Sequence, residues 1–468
     1  LSKDKKTNVI FTKIWSNHVS QLKETISQTF IKNVVEDIHK NFTNAIVGDI
    51  YYKMSLEIVK ITPDDITSQL KNSFTTKCLK NLTESNSINK TQLIWLLNAL
   101  FEISKVVEFD STQKSTVVNT VSQIIQDVEA ISNVALLESL FTLYCALYEE
   151  NLVYLYPQYL AIRGLGASKE RLLPALSDVL TRVAENNIND FNNGFIMIIN
   201  SFSELTTKEY SSAILELFQL QLTHIEKDNV IGSHLFVKSL SSFLTNIERF
   251  VSSPESVISI MKTIHSLEIS KSALFTQFAI ETLFPLCLKI NLLFIHRENS
   301  NNDEIFSNTT KMISNVLLVH RVKLSNRNHL VISLLCHLLE VVSKSQEYNL
   351  SVDSTKALAR LITNFCEPTN VSNNQSNNKH KLSSKVGLIK QSLRKHTPML
   401  LVKYVHLSIS RPFEVQERRE LLSSIHSIFN LLSQNELRLV NSILDNSGKQ
   451  YFKSIYIEYK RTGKWRED

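Results

Sequence analysis

Residues 235–251 read LFVKSLSSFLTNIERFV, and Phe236, Leu240, Phe243, Leu244, Ile247 and Val251 recur in them at steps of three and four. Such spacing puts all six side chains on one stripe of an α-helix, so the stretch reads as an amphipathic helix with a single buried face. Residues 329–342, HLVISLLCHLLEVV, repeat the pattern with Leu330, Leu334, Leu335, Leu338, Leu339 and Val342. The period extends over nearly the whole chain and predicts roughly twenty helices of ~15–20 residues with short connections. Helix starts are marked by Thr62-Pro63-Asp64-Asp65, by Ser253-Pro254-Glu255, and by Ser433 with Glu436 at capping-box spacing.

Composition agrees with an all-α class. Only 8 of 468 residues are Gly, well under the usual ~7%, and turn-rich β proteins need Gly for left-handed backbone positions. Hydrophobic residues make up 43%. A single core rarely grows beyond ~250–300 residues, so several domains or an elongated array are expected. Predicted helices pair, 64–84 with 88–107 and 206–224 with 229–251. A helix–turn–helix unit recurring at roughly 35–47 residues is the pattern of a HEAT- or armadillo-like solenoid, with a compact multi-helix bundle as the alternative.

Two polar stretches interrupt the pattern. Residues 298–310, ENSNNDEIFSNTT, read as an exposed loop. Residues 369–380 read as a disordered Asn/Ser-rich loop, too polar to bury a core. That loop separates a helical repeat array, 1–368, from a C-terminal helical domain, 381–468.

The net charge of +6 is concentrated. Lys379, Lys381, Lys385, Lys390, Arg394 and Lys395 fall between Thr369 and Leu400 with no acid among them, and the other 45 basic residues balance the 45 acidic ones. On a helix, Leu382, Val386, Ile389 and Leu393 form a narrow apolar seam, flanked by Lys381 and Lys385 on one side and by Lys390 and Arg394 on the other. Three readings of this helix stand open: a solvated face over a packed seam, a contact for RNA phosphates, and a site for an acidic protein segment.

No catalytic motif emerges. There is no phosphate-binding glycine loop, and Gly164-Leu-Gly166 lacks the third glycine of a dinucleotide turn. No His-Glu-x-x-His occurs; Cys336-His337 are adjacent and so lie on different helix faces, a core thiol beside a surface imidazole. The five cysteines have no Cys-x-x-Cys spacing and read as buried free thiols of a reducing compartment. No enzyme activity, metal, cofactor or small-molecule substrate is expected. No run of ~18 uncharged apolar residues is present, so no membrane span is expected. The first residue is Leu, as in a portion of a longer chain.

The C-terminal YFKSIYIEYKRTGKWRED, residues 451–468, places Phe452, Ile455, Tyr456 and Tyr459 on one helical face as packing residues. Ser447-Gly448 is read as opening this helix, and Gly463 as ending it beyond Lys460 and Arg461. Lys460, Arg461, Lys464 and Arg466 are candidate contacts for RNA or an acidic partner. Trp465 is a latch onto the domain or an anchor for a partner.

The last seventy residues resemble the C-terminal domain of the fungal unhealthy-ribosome-biogenesis protein two family, also called nucleolar preribosomal-associated protein two. The resemblance rests on RRELL (Arg418 to Leu422), LLSQNELRLVN (Leu431 to Asn441), LDNSGKQYFKSIYIEYK (Leu444 to Lys460) and the terminal GKW (Gly463 to Trp465), in that order. It implies a large helical, non-catalytic assembly factor of the early large (60S) ribosomal subunit. It implies work in the nucleolus and nucleus on precursor ribosomal RNA, beside a large scaffold protein and a DEAD-box RNA helicase. Helical pairs without a site also suit a nuclear transport or adaptor solenoid, or a cytoplasmic tether or vesicle-coat scaffold.

Overall fold

Helix is the only regular structure in the computed structural model among the residues it describes: 33, 36, 50–61, 64–84, 89–126, 133–147, 152–204, 208–324, 326–367 and 379–464. The chain divides into two units, Leu1–Gly194 and Phe195–Asp468. The first holds α1 (Ile50–Ile61), α2 (Asp64–Thr83), α3 (Lys90–Ser104), α4 (Ser111–Gln126), α5 (Val134–Leu147), α6 (Leu152–Gly164) and α7 (Lys169–Asn186); the division falls inside α8 (Ile188–Ser201). Here α1, α3, α5 and α7 pack successively into a row, and α2 packs on α4.

The second unit shows the same plan at greater length. Its helices are α9 (Lys208–His224), α10 (Val230–Asn246), α11 (Pro254–Ser270), α12 (Gln277–Phe294), α13 (Asn302–Val319), α14 (Asn328–Val342), a single turn α15 (Ser345–Tyr348) and α16 (Val352–Cys366). Then come α17 (Lys379–Arg394), α18 (Thr397–Ser410), α19 (Val415–Leu431), α20 (Gln434–Ile443) and α21 (Asn446–Lys464). One row runs α9, α11, α13, α16, α19; the other runs α10, α12, α14, α18, with α20 and α21 packed on α18. Two alternating rows are the arrangement of a helical-repeat solenoid. Helices α18 and α19 continue the two rows, α18 packing on α14 and α19 on α16.

Rows are pinned at both helix ends. A helix leaves unpaired N–H groups at its start and carbonyls at its end, with partial charges of opposite sign. At the starts, carboxylates of a neighbouring helix accept: Glu138 from Ser168 N–H (2.7 Å), Asp190 from Leu152 N–H (2.9 Å), and Asp303 from Ser351 N–H (2.9 Å). At the ends, cations donate: Arg182 to Cys145 O (2.7 Å), Lys271 to Thr223 O (2.9 Å), Arg321 to Phe365 O (3.1 Å), and Arg394 to Leu431 O (2.7 Å). Separations in these end clamps run from 37 to 48 residues. They mark the structural repeat, although no residue type is invariant at the clamping position.

The stripe at 235–251 is buried at Phe236, Leu240, Phe243 and Ile247. Val251 is exposed, because α10 gives way to a 3-10 turn at Ile247–Phe250 that sends Phe250 into the core instead. Phe202, Phe218, Phe243 and Phe250 form a ring cluster with centroids 5.1–5.9 Å apart along its edges. The loop expected at 298–310 is corrected: its larger part is the first half of α13, with Asn302, Asn308, Thr309 and Thr310 buried. Asn302 Nδ2 donates to His296 O and Tyr348 O, both at 2.7 Å, and Asn291 Nδ2 donates to Thr309 Oγ1 at 2.8 Å. These hydrogen bonds offset the burial of Asn302 and Thr309, whereas Asn308 Nδ2 is buried without a partner.

Helix starts follow the expected positions with two corrections. Glu436 accepts from Ser433 N–H (2.7 Å), completing the capping box of α20. Ser253 precedes α11, but its hydroxyl is buried without a partner and does not cap. Asp445, not Ser447-Gly448, opens α21: its carboxylate accepts from Gly448 N–H (2.8 Å), and a Cβ at Gly448 would come within 2.7 Å of that oxygen. The helix continues through Gly463 to Lys464. Trp15, Thr62 and Pro63 lie outside the described residues; Trp95 packs edge-on against Tyr52, centroids 5.5 Å apart. By length and composition α12 could cross a membrane, but it packs between α10, α13 and α14.

Candidate partner-docking surface

The basic stretch forms α17, a helix throughout Lys379–Arg394 that packs on α18. Leu393 of the expected seam is buried and Ile389 half-buried, whereas Leu388 points outward. The side chains of Lys379, Lys381, Lys385, Leu382 and Val386 lie outside the described residues. Lys390 is half-buried and Lys395 exposed. Arg394 stands apart from the other cations, since its Nε holds the last turn of α19 through Leu431 O. It also lies near Glu436, whose carboxyl is held below the usual range chiefly by Ser433 and in smaller part by Arg394.

The far end is built on Phe429. This ring of α19 meets Phe452 at 5.9 Å, Tyr456 at 5.4 Å and Tyr459 at 5.1 Å, all from α21. Phe452 and Ile455 are buried, while Tyr456 and Tyr459 are half-exposed at the rim. Lys460 lies over the Tyr456 ring with Nζ 4.9 Å from the centroid, a cation–π pair at the surface. Arg461 is exposed. The Lys464 side chain, Trp465 and Arg466 lie outside the described residues. The helix periodicity had placed the packing residues correctly; Phe429, their common partner, carried no distinguishing mark in the sequence.

Charge distinguishes this end of the chain. Residues 379–468 hold 17 basic and 8 acidic side chains, a net +9, so residues 1–378 carry −3 of the total +6. A surface of this sign attracts anionic partners over about a Debye length, ~8 Å at physiological salt.

Reactive groups of the usual kinds are not gathered anywhere among the described residues. No group of three or more His, Cys, Asp or Glu side chains is placed to hold a metal ion there. Cys78, Cys145, Cys287 and Cys366 are buried free thiols and Cys336 is half-buried. Burial raises all five, Cys336 to about 11 and Cys366 to about 12, which suppresses the thiolate. His337, expected at the surface, is half-buried beside Cys336, and burial lowers its pKa.

The geometry is therefore that of a stacked helical frame with a basic end. No curated protein matches the chain. Residues 258–468, from within α11 to the C-terminus, match the Urb2/Npa2 family, a family associated with ribosome biogenesis and the one that the C-terminal sequence resembles.

Proposed function

We propose that the protein is a non-catalytic scaffold in early nucleolar assembly of the large (60S) ribosomal subunit. It supports precursor rRNA processing by holding assembly factors on the immature particle. The family match over residues 258–468 carries this reading. Stacked helix rows support it too, because they offer long surfaces at low contact order and leave several faces free for partners. Its partners would be other assembly factors, among them a large scaffold protein and a DEAD-box helicase. The cationic end is the candidate contact for precursor rRNA or an acidic partner.

Sucrose-gradient sedimentation of the tagged full-length protein tests the reading. Co-migration with large-subunit precursors, and accumulation of unprocessed precursor rRNA on depletion, are the expected results. Migration with soluble transport carriers, or with membranes, would replace it with an adaptor or a tether.

A further inference from the structure

Three inter-helix stretches of the second unit lie side by side along one edge of its rows: 269–278 between α11 and α12, the described residues of 318–329 (all but 325) between α13 and α14, and 394–399 between α17 and α18. Lys323 Nζ donates to Phe275 O (2.6 Å), and the rings of Phe275 and His320 lie 5.6 Å apart. Asn328 Nδ2 donates to Ser392 Oγ (3.0 Å), and His329 and His396 face each other at 5.8 Å. The edge is thus a continuous surface held together by hydrogen bonds between its turns.

Large apolar side chains stand in solvent along it. Ile269, Phe278, Leu318, Val319, Val322 and Met399 are 49–77% exposed. Single exposed apolar residues are ordinary, but a series along one edge marks an interaction surface. The same three stretches carry six basic residues and no acidic one. Arg327 is paired with Glu281 of α12 at 2.9 Å. Lys271, Arg321, Lys323 and Arg394 hold backbone carbonyls, and Lys395 is exposed. The starts of α12, α14 and α18 open on this edge beside the ends of α11, α13 and α17, so the helix dipoles add no net positive potential and the cations set its sign.

We propose that this edge docks a partner-protein segment in which acidic residues flank apolar anchors. Five of the six exposed side chains are aliphatic and need an apolar counterpart, and Phe278 alone among them offers RNA bases a ring to stack on, which favours protein over nucleic acid. Glu281 faces Arg327 and Glu226 lies near Lys271, and the cations in excess of these acids select acidic flanks and oppose the same edge of a second copy, which would set like charges together. The proposal deepens the scaffold reading, on which it rests, by naming one surface and the chemistry of its partner.

A photocrosslinking phenylalanine analogue placed at Phe278 of the full-length protein in its native cells is the test. The adducts are digested and sequenced, and a synthetic peptide of the captured sequence is titrated against purified full-length protein. The expected adduct lies in another protein, where acidic residues flank at least two large apolar ones. The peptide then binds at least tenfold more weakly to Val322→Asp and Leu318→Asp, and its own affinity falls when its acids are changed to amides. Both positions are exposed, so melting temperatures should match the parent protein; if either falls, Val322→Ser and Met399→Ser supply the same readout. Adducts to RNA, to a second copy or to a basic segment overturn the proposal, as do no adducts at all or a peptide indifferent to all four variants. Sedimentation keeps the two readings apart: the scaffold reading fails if the parent protein does not migrate with precursors, the docking edge if only these crosslinks and titrations fail.

Discussion

Glu268 of α11 is fully buried, and both its carboxylate oxygens lack a hydrogen-bond partner. Burial raises its pKa well above the usual carboxyl range, with Asn315 of α13 offsetting a small part. Nearby His265 and His320 are lowered by burial, so they supply no stable positive charge to hold the carboxylate. Because the folded pKa is the higher one, the native state retains a proton that the unfolded chain releases. Stability is therefore full below the ordinary carboxyl pKa and falls as pH rises toward the raised folded value, by about 1.4 kcal/mol per pH unit for one proton. Glu268→Gln keeps the neutral shape and removes the titration. Its melting temperature should equal the parent's near pH 4 and exceed it by a growing margin through neutral pH. Parallel melting curves from pH 4 to 8 would show Glu268 ionised and solvated. Phe429 is the matching apolar case at 3% exposure. Phe429→Ala should cost ~3–5 kcal/mol, read as a separate early loss of helical circular dichroism from the C-terminal helices.

Asp303 shows how single groups organise whole elements. It sits in the first turn of α13, and its Oδ1 accepts from Ser351 N–H, Ser351 Oγ (3.0 Å) and Ser354 Oγ (2.6 Å) at the start of α16. Asp303→Ala should cost about 1–2 kcal/mol, and hydrogen exchange should quicken first in the opening turn of α16. Exchange unchanged there would deny the clamp. This element also shows what the sequence could tell. Ile305, Phe306, Met312, Ile313, Val316 and Leu317 keep the helical period through the Asn-rich run, so α13 was legible in pattern and hidden by composition. The rows were legible only as pairing helices. Their clamps join residues 30 to 51 apart and use Arg or Lys at helix ends and Asp or Glu at helix starts, so no letter repeats. At the basic helix, Lys390 and Arg394 look equivalent on a helical wheel. Only the carbonyl of Leu431, 37 residues on, sets Arg394 apart.

At the scale of the whole chain the question is whether the net +9 of residues 379–468 serves the fold or a partner. Arg394 serves the fold, because removing it frees the last carbonyls of α19. Lys460 is divided between the two, lying on Tyr456 yet exposed. Lys390 and Lys395 have no such structural bond among those described, and Lys381 and Lys385 share α17 with Lys390. Reversing Arg394 with the other cations would confound binding with stability, so it is best kept. Changing Lys381, Lys385, Lys390 and Lys395 to Glu moves the charge of this region from +9 to +1. Melting temperature should shift little, since Lys395 is exposed, Lys390 is half-buried without a structural bond among those described, and surface charges contribute within about 1 kcal/mol each. If the region meets precursor rRNA, co-purification of that RNA should fall and the salt dependence of binding should flatten, by up to about 0.7–0.9 in logarithmic slope for each phosphate no longer neutralised. If it meets an acidic protein, association with that factor should weaken while RNA recovery follows only indirectly. Unchanged recovery of both, with the protein folded, would assign the charge to solvation of the helix face.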